Sequence, residues 1–244
     1  MTRLEYRLII KIVLPNIKPP KKYLIYSILK IDENKEKNIN LSKIRYNFNM
    51  HKTKIIETKR LILRPFKEED YKECYLNYTS DPMVSLYLTW DAHQNEEVTQ
   101  NYLKSKIPLY EKEDFFDWCV TKKEKNGDTT IIGAIASVNF IRKDRYVEIG
   151  YCYGSKFWHN GYATEALNAV IDFFFREEDI DVVCCRYMAV NERSGNVMKK
   201  CHMTKVAVLK GFAYNNVENM REDVIVKTIT KEKYFKLKKN RVKK

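Results

Sequence analysis

The segment from Trp158 to Ala166 carries the residues best suited to chemistry, and it directly follows an apolar, strand-like run, Val147 to Tyr153. A single glycine, Gly161, precedes a helix that begins with small residues, so a ligand can approach the backbone closely there. A helix start offers unpaired backbone N–H groups and the positive end of the helix dipole. Together these form a site for an anion such as a pyrophosphate. The segment therefore predicts a nucleotide-bearing cofactor.

A second chemical signal is the carboxylate of Glu148, which lies inside the same apolar strand. Burying a carboxylate is costly unless it is paired or functional. The residues leave two interpretations open, a functional carboxylate or an ion pair with a neighbour such as Arg145 or Arg186. Asn191 follows the next predicted strand, where it could cap a helix and could also reach a cofactor.

The elements that must position these residues alternate between helix and strand from about residue 54 to residue 230. A strand ending at Pro65 leads into helical regions over 67–79 and 94–111. Three strands follow over 115–122, 130–140 and 145–153, and the last elements are a helix (162–176), a strand (181–190), a helix (191–201) and strands near 204–212 and 222–229. We find no internal repeat and no flexible linker after residue 50. The pattern predicts one mixed α/β domain over 50–230.

The formal net charge of +13 is concentrated at the two ends of the chain. Residues 1–49 hold 11 Lys/Arg against 4 Asp/Glu, residues 231–244 hold 8 against 1, and residues 50–230 hold 26 against 27. We expect 1–49 to be a weakly ordered basic extension and 231–244 a basic tail. The extension is either sequence upstream of a true start at Met50 or a genuine basic arm. These basic ends could contact a ribosome or RNA.

Six cysteines show no CxxC pair and no His/Cys spacing typical of a metal site. We therefore expect reduced thiols, no metal and a cytoplasmic protein. No apolar run approaches the roughly 20 residues that a membrane helix needs, so no membrane partner is expected. The apolar patch over 8–14 is interrupted by Lys11 and has no small-residue cleavage site after it, which argues against a signal peptide.

Four segments in this order resemble the GNAT superfamily of acetyl-CoA-dependent N-acetyltransferases, in its ribosomal-protein N-acetyltransferase (RimJ/RimL-like) branch. They are ETKRLILRP at 57–65, EIGY at 148–151, WHNGYATEA at 158–166, and the run from Asn191-Glu192-Arg193-Ser194 to Met203. The resemblance covers about 54–230. It implies an α/β fold with a single mixed, mostly antiparallel sheet, splayed in the middle and flanked by helices. It also implies acetyl-CoA as co-substrate.

The superfamily's pyrophosphate loop has the form Gln/Arg-x-x-Gly-x-Gly/Ala. In this chain Trp158 stands at the Gln/Arg position, as an aromatic often does in this branch, and His159 stands where a glycine is common. We interpret His159 as a loop residue rather than a catalytic base. The preceding strand should offer backbone groups to the pantetheine arm, and Gly150 either marks a bulge or relieves packing. The resemblance assigns these residues to cofactor binding: Tyr151, Cys152, Tyr153, Trp158, His159, Asn160, Gly161, Tyr162, Ala163, Thr164 and Asn191.

Acetyl transfer to an amine requires a base for the amine and stabilisation of the leaving thiolate. By the resemblance, Glu148 stands where this branch carries a Glu, and we assign it as the base. Many members place a Tyr in the late helix to protonate the thiolate, but Met198 occupies that position here and cannot donate a proton. Ser194 is the nearest hydroxyl in the motif, and it is either a catalytic donor or an ordinary residue of a first helical turn.

The resemblance implies direct acetyl transfer to a primary amine, with a protein N-terminal amine as the favoured acceptor. The alternatives are a small amine, such as a polyamine or an antibiotic, or a non-catalytic module that binds acyl-CoA or the ribosome. Trp90 and Asp91 are candidates for substrate contact, although a core Trp with a capping Asp would fit equally. A monomer and a homodimer both remain open.

We predict that a chain starting at Met50 keeps its thermal midpoint and its affinity for acetyl-CoA. Residues 1–49 show no period that would supply an apolar face to the domain core. Thermal unfolding and calorimetric titration of the full and shortened chains test this. A clear loss of either property would show that the extension docks on the domain.

Overall fold

The protein's structure, a computed structural model, describes residues 51–215 and 218–242. The expectations for 1–49 and for a start at Met50 lie outside these residues. The described strands are β1 (Ile56–Glu57), β2 (Leu61–Arg64), β3 (Asp117–Lys123), β4 (Thr129–Ile141), β5 (Tyr146–Tyr153), β6 (Val182–Met188), β7 (Thr204–Asn215) and β8 (Met220–Thr230). They form one eight-stranded sheet in the order β1-β2-β3-β4-β5-β6-β8-β7.

The sheet is antiparallel between all neighbouring strands except β5 and β6, which are parallel. The parallel pairing is short and joins only Tyr146 to Val182, Val147 to Val183 and Glu148 to Cys184. Beyond Glu148, β5 stays paired with β4 and β6 stays paired with β8, so the two strands separate. This confirms the predicted mixed, mostly antiparallel sheet that is splayed in the middle.

The described helices are α1 (Tyr71–Cys74), α2 (Pro82–Ser85), α3 (Glu96–Lys106), α4 (Tyr162–Glu177), α5 (Glu192–Lys200) and α6 (Lys231–Val242). A 3₁₀ turn, Glu68–Asp70, precedes α1 and a π-helical turn, Tyr75–Thr79, follows it. Asp81-Pro82, which signals a break in the sequence, also starts α2. The Asp81 carboxylate accepts a hydrogen bond from the Met83 N–H at 2.9 Å, and proline suits the first turn of a helix.

The segment that we expected to be a basic tail contains α6. Tyr234 of this helix is buried, and its ring lies 5.4 Å from the ring of Phe175 in α4. The Tyr234 hydroxyl also donates a hydrogen bond to Asp172 at 2.9 Å. Residues 231–242 therefore form a helix that docks on α4 through an aromatic side chain.

Two apolar cores lie on the two faces of the sheet. The larger core packs α4, through residues such as Leu167 and Phe174, against Trp118 of β3. The smaller core packs Tyr78 and Leu103, from the helical segments before β3, against the other face. Alternate residues of each strand point to opposite faces, so the same strands supply both cores.

An ion pair between Lys106 and Asp117 is buried under the smaller core. The side chain of Asp117 is 2% exposed and that of Lys106 is 15% exposed. The Lys106 ammonium also lies over the rings of Phe66 and Tyr102, 4.9 and 4.6 Å from their centroids. Burial raises the pKa of the Asp117 carboxyl, and Lys106 is the cation that opposes this effect. Lys106 thus stabilises the negative charge of Asp117, which would be unfavourable in the apolar core without a cation beside it.

We predict that Lys106→Met lowers the free energy of unfolding by about 3–5 kcal/mol, because it leaves a buried carboxylate without its cation. Lys104→Met is the matched control, since Lys104 pairs with Glu68 at 3.4 Å while both side chains are about half exposed. The control should cost no more than about 1 kcal/mol. Urea unfolding of both variants is the measurement. Equal losses would mean that the buried pair has no special role.

Candidate active site

A cavity of about 370 Å³ lies where β5 and β6 separate. The end of β5, the loop before α4, the first turn of α4, one face of α5 and the region around α2 form its walls. Its lining residues are Met83, Val84, Tyr87, Leu88, Tyr151, Cys152, Tyr153, Phe157, Trp158, His159, Gly161, Tyr162, Ala163, Thr164, Asn191, Arg193, Ser194, Asn196, Val197 and Lys200. The lining contains Arg193, Lys200 and His159 and, among the described residues, no carboxylate.

The start of α4 forms one wall of this cavity, and its N–H groups are not capped. Side chains of Asp81, Asn95 and Asn191 cap α2, α3 and α5, whereas no described side chain caps α4. The N–H groups of its first turn therefore remain available, and they coincide with the positive end of the longest described helix. An anionic group such as a pyrophosphate fits this end of the cavity.

Backbone geometry in the loop explains its glycine. Gly161 has φ 78° and ψ 6°, in the left-handed region that glycine adopts at little cost. His159 has φ 63°, which is the same region, although it is not a glycine. A non-glycine residue there costs roughly 1–2 kcal/mol. His159 lies in the loop and lines the cavity, and its interpretation as a loop residue rather than a base remains a prediction.

A charged cluster ties this loop to the hairpin of β1 and β2. Arg60 donates through its backbone N–H and its Nε to the two carboxylate oxygens of Glu165 in α4, at 2.9 and 2.7 Å. Its Nη1 donates to the Asn160 carbonyl at 3.0 Å, and the guanidinium lies 4.6 Å from the Tyr162 ring centroid. Thr58 donates to the same carboxylate at 2.6 Å. Arg60 therefore positions both ends of the loop.

Trp158 is fixed from two sides. Its indole N–H donates to the Tyr153 carbonyl at 2.7 Å, and its own carbonyl accepts from the Asn160 side chain at 2.9 Å. The Arg193 guanidinium lies over the indole, 4.7 Å from the ring centroid. The loop position where a polar Gln or Arg is expected thus presents an aromatic surface, and a cation from α5 covers it.

Three predicted pantetheine contacts, Tyr151, Cys152 and Tyr153, line the cavity next to the separation of the strands. Burial raises the pKa of the Cys152 thiol to about 12, so the thiol stays protonated and is a poor nucleophile. Gly150 lies against the side chain of Val138, and a Cβ at this position would come within 2.9 Å of it. The register shift nearby lies in β4, between Ser137 and Asn139, so Gly150 relieves packing and does not form a bulge in β5.

Glu148 is 6% exposed, and its Oε1 accepts a hydrogen bond from the Arg186 Nε at 2.6 Å. Of the two candidate partners, the structure therefore selects Arg186, while Arg145 pairs with Asp179 and Asp181. No described residue donates to the other oxygen of Glu148, Oε2, and Glu148 is not part of the cavity lining. Glu148 is therefore ion-paired with Arg186 through Oε1, and its Oε2 has no described donor and can accept a proton.

Ser194 lines the cavity and bonds to a second hydroxyl. The Tyr151 hydroxyl lies 2.9 Å from the Ser194 Oγ and 3.2 Å from the Ser194 carbonyl, while the Ser194 N–H donates to Asn191 at 3.2 Å. Burial raises the pKa of Tyr151 well above its usual value, so this hydroxyl stays protonated. Met198 is buried in the larger core, away from the cavity lining. A buried hydroxyl on β5 thus lies beside Ser194, a contact that the sequence motif does not indicate.

Trp90 and Asp91 do not line this cavity. Trp90 packs against the smaller core, and its ring lies 5.5 Å from that of His93. Asp91 is exposed, and the residue that caps α3 is Asn95, whose side chain accepts from the Val98 N–H at 3.1 Å. Trp90 is therefore a partly buried residue at the edge of the smaller core, and a role for these two residues in substrate contact remains a prediction.

A second cavity, of about 250 Å³, shares one wall with the first. Tyr87 lines both of them. The other lining residues are Leu86, Val190, Asn215, Glu218, Met220 and Glu222. The two cavities differ in charge, because the described lining of the first contains cations and that of the second contains carboxylates.

Comparison with known proteins identifies the class to which this architecture belongs. Residues 60–204 match the acetyltransferase (GNAT) domain, and the chain belongs to this family. YoaA of Bacillus subtilis, named an N-acetyltransferase, is 25% identical over 162 residues, which cover 66% of this chain and 89% of YoaA. The chain is thus an N-acetyltransferase of a family that uses acetyl-CoA.

Two solved structures share the fold. A GNAT-family acetyltransferase from Bacillus anthracis is 23% identical and superposes with a TM-score of 0.63, over 73% of this chain and 99% of that one. RimL, the ribosomal L7/L12 alpha-N-protein acetyltransferase in complex with coenzyme A, is 19% identical with a TM-score of 0.63, over 72% of this chain and 98% of that one.

None of the helices that the structure describes is long and apolar enough to cross a membrane. Among the described residues, no group of three or more His, Cys, Asp or Glu side chains is arranged to hold a metal ion.

We predict that Gly161→Val lowers the affinity for acetyl-CoA at least about tenfold, equivalent to 1.4 kcal/mol, because its side chain obstructs the approach of a phosphate to the backbone. Gly127→Val is the matched control. Gly127 also has a positive φ, of 91°, and lies in open space outside the cavity lining. Both variants should lose similar stability in thermal unfolding. In calorimetric titration, unchanged affinity for Gly161→Val would refute the assignment of the loop.

Proposed function

We propose that this enzyme transfers the acetyl group of acetyl-CoA directly to a primary amine, with a protein N-terminal amine as the favoured acceptor. The observation that carries the proposal is the uncapped start of α4, which faces a carboxylate-free cavity at the separation of β5 and β6. The likeness to RimL, which is named as a protein alpha-N-acetyltransferase, supports the acceptor class at the level of fold.

In this proposal each wall of the cavity holds one part of acetyl-CoA. The pyrophosphate binds the N–H groups of Gly161 to Thr164, where no side chain competes for them. The pantetheine arm follows residues 151–153, whose edge toward β6 has no strand partner. The thioester then lies near the Tyr151 and Ser194 hydroxyls, next to the point where the strands separate.

The residues of the site supply both proton transfers that the reaction requires. The amine nitrogen attacks the thioester carbonyl carbon, a C–N bond forms and the C–S bond breaks. Glu148 takes one proton from the amine through Oε2, since Arg186 occupies Oε1. The Tyr151 hydroxyl, in contact with Ser194, gives a proton to the departing thiolate. The protonated thiol of Cys152 argues against a covalent enzyme intermediate and supports direct transfer.

The second cavity favours one alternative acceptor, a small amine that carries more than one positive charge. Glu218 and Glu222 line this cavity, and Tyr87 joins it to the proposed cofactor cavity. Carboxylates at the acceptor side would attract a polyamine or an aminated antibiotic more strongly than a peptide with a single charged terminus.

The function is tested by release of CoA thiol from acetyl-CoA across a panel of peptides and small amines. The peptides differ in their first residues, and each has a control with a blocked N-terminus. Turnover that requires a free peptide N-terminus supports the favoured acceptor, and turnover restricted to polyamines supports the alternative. Binding of acetyl-CoA with no turnover on any member would support a non-catalytic module instead.

We predict that Glu148→Gln lowers kcat by roughly 100-fold or more with nearly unchanged affinity for acetyl-CoA, because it keeps the shape of the side chain and removes the proton acceptor. Tyr151→Phe should also lower kcat, whereas Ser194→Ala should have a milder effect because water can replace its hydroxyl. Turnover is measured per folded molecule with the best acceptor of the panel. If Glu148→Gln is less stable but turns over normally, Glu148 serves only as the partner of Arg186.

A further inference from the structure

One face of α5 presents two cations to the main cavity. Arg193 and Lys200 both line it, and Val197 lies between them on the same face. Their spacing of seven residues corresponds to two helical turns, or about 10 Å along the axis. No cavity-lining residue is an Asp or a Glu, so neither cation has a carboxylate partner within this cavity.

Arg193 differs from six other described arginines in having no carboxylate partner. Arg60, Arg64, Arg142, Arg145, Arg176 and Arg186 each pair with a carboxylate. Arg193 forms no ion pair with any described residue, and its contact is the indole of Trp158, 4.7 Å away. A guanidinium stacked on an aromatic ring keeps its N–H groups in the ring plane free to donate to an anion.

The position of Trp158 explains why a cation is needed there. Trp158 stands three residues before Gly161, and its indole N–H, the one donor of its side chain, is already bonded to the Tyr153 carbonyl. Trp158 therefore offers no side-chain donor to an anion in the cavity. Arg193 reaches the same place from α5, so the helix supplies the charge that the loop lacks.

Lys200 lies at the other end of the cavity-lining face of α5 from Arg193. The next residue, Cys201, lies against the first turn of α4, with its Sγ 3.6 Å from the Thr164 carbonyl. Ser194 and its bond to Tyr151 lie at the Arg193 end. A ligand that enters with its reacting group near Ser194 thus meets Arg193 first and Lys200 farther out.

We propose that Arg193 binds the pyrophosphate of acetyl-CoA and that Lys200 binds its 3′-phosphate. The inference rests on the proposed binding of acetyl-CoA in this cavity. The co-substrate carries two separate anionic centres, and a terminal phosphate bears about −1.5 to −2 charges near neutral pH. Two cations about 10 Å apart on α5, together with the start of α4, match two such centres rather than one.

The test compares CoA with dephospho-CoA, which lacks only the 3′-phosphate, by calorimetric titration. Arg193→Met should weaken the binding of both ligands about tenfold, and Arg193→Lys should restore part of it. Lys200→Met should weaken the binding of CoA about tenfold, which corresponds to 1.4 kcal/mol. It should change the affinity for dephospho-CoA less than about twofold, because that ligand lacks the 3′-phosphate. Lys199→Met is the matched control, because Lys199 is on the same helix and outside the cavity lining. It should change neither affinity.

Several outcomes would overturn the assignment. The role of Lys200 is wrong if Lys200→Met weakens both ligands equally, or if Lys199→Met has the same effect. The role of Arg193 is wrong if Arg193→Met binds CoA as tightly as the wild type, or if the loss follows a drop in thermal midpoint that Arg193→Lys shares. If the wild type binds neither ligand, the proposed function fails and this assignment fails with it. Tight wild-type binding with unaffected variants refutes the assignment alone.

Discussion

The separation of β5 from β6 is the constraint on which the rest of the site depends. The two strands share only three residue pairs, and beyond Glu148 and Cys184 each keeps a single neighbour in the sheet. Buried backbone groups without hydrogen-bond partners are unfavourable, so the open edges require a ligand or water. The fold tolerates the gap because the long antiparallel pairs β4–β5 and β6–β8 hold each strand on its other side. The cavity is therefore a consequence of sheet topology, and the side chains that line it determine only its charge and its shape.

A single arginine couples the first hairpin of the sheet to the cofactor loop more than a hundred residues later in the chain. Arg60 and Glu165 are both partly exposed, so their ion pair alone is worth little stability. Its value is geometric, since the same two side chains hold the Asn160 carbonyl, the Thr58 hydroxyl and the Tyr162 ring. This explains why a hairpin remote from the cavity belongs to the same functional unit.

The sequence predicts what local periodicity and turn chemistry control. The helix expected over 162–176 is Tyr162–Glu177, and a loop that ends at Gly161 precedes it as expected. The pairing register of the strands could not be predicted from the sequence in the same way. Arg186 reaches Glu148 because Cys184 pairs with Glu148, and residues two apart on a strand share a face. Likewise α6 has no sustained apolar period, yet it docks on α4 through Tyr234, which lies against Phe175, and through Phe235, which packs against the larger core. The hydrogen bond between Tyr151 and Ser194 also joins two separate motifs, and the sequence assigns a different role to each of them.

The two cavities sort charge in a way that suits acetyl transfer. Under the proposed function, an anionic co-substrate would be attracted to the side that holds Arg193 and Lys200, and a protonated amine to the side that holds Glu218 and Glu222. Opposite fields on the two sides of Tyr87 would raise the local concentration of both reactants and oppose their exchange. A protonated amine cannot attack, however, so attraction alone would stop the reaction at binding. In the proposed reaction the amine first loses one proton to solvent, and the free oxygen of Glu148, held beside Arg186, takes the second proton as the C–N bond forms.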